Sequence, residues 1–154
     1  MTAHELLSDD GHSVLALCAG AGFASNSAAG DLAPLRLTEW NELARKLQAS
    51  DLKYPSALNG RSAKNISDSL EIDLADAERI AQLLERGVRI SIELESLFSR
   101  GMWVMTQMDE HYPAKLRNSL KHQAPPVLFG AGEIHLLEKV VSPSLAHGIL
   151  IWRE

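Results

Sequence analysis

The sequence predicts a mainly α protein, with a helical N-terminal domain over residues 1–100 and a short α/β segment over residues 101–139. Three observations carry this expectation. Apolar residues recur at helical spacing from Val14 to Phe98. Gly87 and Gly101 punctuate that pattern at the intervals expected of a helical hairpin. After Gly101 the periodicity gives way to short apolar runs, "MWVMT" and "PPVLFG", separated by "AKLRNSLKH". A rhythm of strand, helix, strand, helix belongs to an α/β sheet layer.

In chain order, Ser13 is placed to cap a first helix on which Val14, Leu15, Leu17, Cys18 and Ala21 share helical spacing. Ser25 to Pro34 reads as a loop of Ser, Asn, Ala and Gly. A second helix follows Thr38, with Trp40, Leu43, Ala44 and Leu47 on one face and most of Glu39, Glu42, Arg45 and Lys46 on the other. "SDLKYPSALNGRSAKNIS", broken by Pro55 and Gly60, reads as a connector with one short helical turn. Asp73 and Asp76 open a third helix carrying Ala77, Ile80, Ala81, Leu83 and Leu84, and Gly87 is expected to end it in a left-handed conformation. A fourth helix presents Ile90, Leu94, Leu97 and Phe98 before Gly101, and the two form the hairpin of residues 73–100. "DEHYP" then reads as a polar turn, "AKLRNSLKH" as a short helix, "PPVLFG" as a buried strand and "GEIHLLEK" as a further helix.

Composition narrows the function. The 45% hydrophobic and 23% charged content is that of a soluble globular protein, and 15 Lys plus Arg against 20 Asp plus Glu leave no basic surplus for gripping a phosphate backbone unaided. Cys18, the single cysteine, excludes an internal disulfide or a thiolate zinc site and reads as a packed thiol in a cytoplasmic protein. The N-terminus has acids where an export signal needs bases, and no run is long enough for a bilayer, so no membrane partner is expected. His4, His12, His111, His122, His135 and His147 lack metal-ligand spacing, "GAGFAS" follows a helical run instead of a strand, and no nucleophile elbow is present. No catalytic, cofactor or metal residue is therefore assigned. The 73–100 hairpin is a poor reader of DNA, because Arg89 and Arg100 are offset by Glu93 and Glu95. The one local basic cluster is Lys115, Arg117 and Lys121, with His122 beside it; these are the candidate nucleic-acid contacts, against the alternative of a solvated helix face.

One block resembles a known family. From Leu83 to Lys139, Gly101, Trp103, Val104, Asp109, Tyr112, Pro113, Leu116, Arg117, Pro125 to Leu128, Gly132, Leu136 and Leu137 follow the order of the DNA-processing protein A family (DprA, also called Smf). "PLRLTEWNELARKLQASDL" is similar, more weakly, to a helical extension found in part of that family. The resemblance implies a helical, SAM-like N-terminal domain before a Rossmann-like domain, and a bacterial cytoplasmic protein that binds single-stranded DNA and loads RecA in natural transformation. In the family the next element reads roughly "GGLAIVGSRN" and forms an anion pocket, which this chain lacks.

Residues 140–154 take its place. Val140 to Ile149 can be encoded so that the same nucleotides, read one position back after a G, spell Gly-Gly-Leu-Ala-Ile-Val-Gly-Ser-Arg-Asn. The expectation is a family member truncated by a frameshift, with most of its DNA-binding domain absent and neither single-stranded DNA nor RecA retained as partner. Two other readings stand beside it. One is a free-standing helical module that docks a protein. The other is a fragment of a nucleotide-processing Rossmann-like enzyme, disfavoured because the phosphate-binding turn is missing.

Overall fold

In the computed structural model, which describes residues 3–20 and 32–139, the chain opens with the short helix α1 (Ala3–Leu6), followed by α2 (Asp9–Cys18). The rest is built around α2. Val14, Leu15 and Leu17 are fully buried and Ala16 nearly so, as expected of a helix that is apolar on all sides. Its cap is Ser8, whose Oγ accepts from Gly11 N at 3.0 Å, and not Ser13 as the sequence suggests. Ser13 lies inside the helix, donating to Asp9 O and accepting from Asn59 Nδ2. The helix starts early because Asp9 and Asp10 suit a first turn and Gly11 is required there: a Cβ at Gly11 would collide with the carboxylate of Asp109.

The expected loop of residues 25–34 and the "GAGFAS" stretch fall largely outside the described residues. α3 (Leu37–Ala49) follows, its N-terminus held by Glu39, whose carboxylate accepts from Arg36 N at 2.7 Å. Trp40, Leu43 and Leu47 are buried on the face that the spacing assigns to the core, with Ala44 beside them. Each such side chain contributes about 1.5–3 kcal/mol on burial.

The connector holds more structure than its Pro and Gly suggest. A 3₁₀ turn, Pro55–Leu58, is followed by α4 (Ala63–Leu70), capped by Ser62 and buried through Ile66 and Leu70. Gly60, at φ +74°, bounds the turn but does not extend the break.

α5 (Leu74–Leu84) buries Ala77, Ile80 and Leu83, and it packs along α4, to which left-handed Glu71 joins it. α6 (Gly87–Ser99) buries Ile90 and Leu94. The 73–100 hairpin is not formed as expected. Glu85 and Arg86 both stay right-handed, Gly87 begins α6 without a positive φ, and the close helical pair is α4 with α5. The joint needs no left-handed residue because the Arg86 side chain anchors it, donating to Ala16 O and Ala19 O at the end of α2. Gly101 does end α6, at φ +76°.

The remainder is a small sheet. β1 (Met102–Thr106) and β2 (Val127–Ala131) pair antiparallel, with Trp103 opposite Gly130 and Val104 opposite Phe129. Here Gln107 N donates to Pro126 O at 3.0 Å, which carries the antiparallel pairing one step past the strands and returns β2 alongside β1. α7 (Ala114–Leu120) and a 3₁₀ turn, Lys121–Gln123, fill the connection, and α8 (His135–Lys139) follows β2. The architecture is mainly helical with this two-stranded sheet attached, and the expected tail, residues 140–154, lies outside the described residues. Val104 and Val127 join the helical core, while Leu6, Trp103, Met105, Tyr112, Leu128 and Leu137 form a second cluster. No helix among the described residues is long and apolar enough to cross a membrane.

Candidate nucleic-acid interface

The three candidate contacts lie on one short stretch. Lys115 and Arg117 are on α7, Lys121 is at its C-cap, and all three are exposed. α7 is held by what surrounds it. Tyr112, buried just before the helix, donates its hydroxyl to Pro125 O at 2.8 Å. The Arg117 guanidinium stands 5.3 Å over the Tyr112 ring, and its Nη2 donates to Gln107 O at 2.7 Å. Arg117 is therefore a positioned cation with donors already in use, whereas Lys115 and Lys121 project from the helix and the turn. Lys121 takes φ +50° and ψ −117°, an uncommon conformation for a residue with a side chain, where α7 turns into the 3₁₀ segment.

Asp109 is the hub that the sequence marks only as part of a motif. It is buried, and its two carboxylate oxygens accept four hydrogen bonds. Oδ1 takes Ser8 N at 2.8 Å and Ser8 Oγ at 2.9 Å; Oδ2 takes Thr106 N and Thr106 Oγ1, each at 2.7 Å. One side chain thus fixes the start of α2 to the end of β1, with its charge at a helix N-terminus.

Gln107 is a second organiser, and no spacing singles it out. Its Nε2 donates to Ala124 O, its Oε1 accepts from Trp40 Nε1 at 3.2 Å, and its carbonyl receives Arg117. A polar residue in a turn carries no local sign of partners 67 residues away. Asn41 Nδ2 adds a bond to His122 O at 2.6 Å, so α3 supports the basic stretch from behind.

Two further charged groups hold the fold together. Arg79 reaches Glu39 at 2.7 and 3.3 Å and also donates to Ala33 O and Pro34 O. The Arg79 bonds, then Arg36 N–H, hold the Glu39 carboxyl down from 4.5 to about 2. Arg86 is half-buried, and burial lowers its pKa. Burial, opposed by the Arg86 charge, pushes the Cys18 thiol up to about 12, so it stays protonated and packs as an apolar group.

Chemically, the basic stretch offers two exposed ammonium groups and one fixed guanidinium on a surface. That suits subsidiary contact with a phosphate chain. No family model, curated protein or solved structure matches this chain.

Proposed function

We propose that the chain is the N-terminal portion of a DprA-like protein, a cytoplasmic binding protein and not an enzyme, whose family role is to receive single-stranded DNA and pass it to RecA. The observation that supports this most is the mutual contact of the residues that carry the resemblance. Asp109 bonds the end of β1, Tyr112 bonds Pro125, Arg117 covers Tyr112, Gly132 N donates to Gly101 O, and Leu137 packs with Trp103, Tyr112 and Leu128. A string of motif residues that closes on itself as one packed unit is what a shared structural ancestor requires.

On this reading residues 101–139 begin a Rossmann-like domain, and the α7 edge lends Lys115, Arg117 and Lys121 to a DNA path whose main anion pocket this sequence lacks. The net charge of −5 and so few cations leave the chain by itself a poor ligand for a polyanion. Even dedicated non-specific binders reach only roughly 10⁻⁴ to 10⁻⁶ M at physiological salt. A labelled single-stranded oligonucleotide should therefore show no binding at micromolar protein in about 150 mM salt. A version rebuilt in the frame one nucleotide back should bind. Tight, salt-resistant binding by the 154-residue chain, or none by the rebuilt one, would sink the proposal. The interaction-module reading draws on a different observation, the exposed Val88 and Ile92 on α6.

A further inference from the structure

Lys121 stands in a backbone conformation that its residue type seldom takes. Its φ of +50° comes with a ψ of −117°, far from the left-handed well that Glu71 occupies at φ +53° and ψ +51°. Residues with side chains tolerate that well. Lys121 lies instead close to the first central position of a type II′ turn, which is glycine's place.

Surrounding groups hold the turn in this shape. Ala124 N donates to Lys121 O at 3.1 Å. Asn41 Nδ2, from α3, donates to His122 O at 2.6 Å, Gln107 Nε2 donates to Ala124 O, and the Tyr112 hydroxyl donates to Pro125 O at 2.8 Å. Three side chains from separate parts of the chain thus fix the carbonyls that follow Lys121. Backbone strain that the surroundings over-determine collects at functional positions. Glycine would make the same turn without strain, so what lysine adds is its ammonium. Lys121 is exposed, and among the described residues its ammonium makes no hydrogen bond or ion pair. The Arg117 guanidinium, by contrast, is engaged with Tyr112 and Gln107 O.

We propose that Lys121 is the residue of the basic stretch that contacts a phosphate of single-stranded DNA, and that its strained backbone is retained to hold the ammonium there. This rests on the single-stranded DNA reading above and gives the cations unequal roles: Arg117 braces α7, and Lys121 makes the contact. The test follows the affinity of the full 154-residue chain for a labelled oligothymidylate between about 15 and 150 mM salt, at up to about 500 µM protein. Each phosphate contact on a single strand strengthens binding roughly fivefold when salt falls tenfold, which brings a weak association into range. Lys121→Gly should raise the denaturant midpoint, because the strain is relieved. It should nonetheless weaken binding at least about fivefold at the lowest salt and flatten the slope of log affinity against log salt by about 0.7. A structural role would leave that slope unmoved. Lys121→Arg, which keeps the charge, should restore it. Wild-type affinity and slope in Lys121→Gly would overturn the proposal and leave the DNA reading standing. A midpoint that Lys121→Gly fails to raise also overturns it, as does an absence of binding by the wild type at the lowest salt; the family role is judged separately, by the rebuilt chain at about 150 mM salt.

Discussion

Glu39 ties three stretches of chain through one carboxylate. It accepts from Arg79 and from Arg36 N–H, and Arg79 in turn holds the carbonyls of Ala33 and Pro34. These bonds keep its folded pKa near 2, below the ordinary 4.5 of the unfolded chain, although burial acts in the opposite direction. The sign follows from linkage: the stabilisation is complete above about pH 4.5 and drains away as the pH falls toward about 2. The stability difference between wild type and Glu39→Gln, measured by denaturant midpoint, should stay level from about pH 7 to 5 and narrow steadily below that. A difference unchanged down to about pH 2.5 would mean that the pairing adds no charge-dependent stability. Helical spacing puts Glu39 on the outer face of α3, which is right as far as it goes. Its partner is 40 residues away, a distance at which periodicity is silent.

At the scale of elements, the sheet depends on a missing side chain. The Trp103 indole occupies the space that a Cβ on Gly130 would need, so the strands meet only because residue 130 is glycine. Among the described residues Trp103 Nε1 has no hydrogen-bond partner, which leaves the pairing little margin. Gly130→Ala should cost about 1–3 kcal/mol in chemical denaturation, and a loss under about 0.5 kcal/mol would mean that the indole has room to move. The existence of β1, α7 and β2, the buried face of α3 and the stop at Gly101 were all legible in residue type and spacing. α4 was hidden because Pro55 and Gly60 dominate its approach, while the Ser62 cap and the Ile66 and Leu70 pair are weak local signals. Gly87 was misleading because a side chain elsewhere, Arg86 on the carbonyls of α2, settles that joint. Strand direction was illegible for a similar reason. Alternation of apolar residues is the same for either direction, and the pairing appears only in long-range bonds such as Gln107 N to Pro126 O.

For the whole molecule, the sheet and the helices are joined by packing and by Asp109. Val104 and Val127 enter the helical core, and the Asp109 carboxylate links the start of α2 to the end of β1. Asp109→Ala would leave the N–H groups of Ser8 and Thr106 without their acceptor, a loss of about 2–5 kcal/mol. Hydrogen exchange should then show the amides at the start of α2 losing protection along with those at the end of β1, while α4 and α5 keep theirs. Unchanged protection at both ends would mean that packing alone joins the two parts. The resemblance quoted for residues 101–137 did point to Asp109, Tyr112 and Pro125, but as a pattern; only the folded chain gives each a bonding partner.

The bond between Ser8 and Asp109 spans 101 residues, and that span has a meaning in time. A ribosome releases the start of the chain first. At about 5–20 residues per second, Ser8 waits roughly 5–20 s before Asp109 is even made. Through that interval Val14, Leu15 and Leu17, which are fully buried in the finished molecule, have no sheet to lie against. The centre of the fold is synthesised early and completed late, which makes the nascent N-terminus a natural client for chaperones.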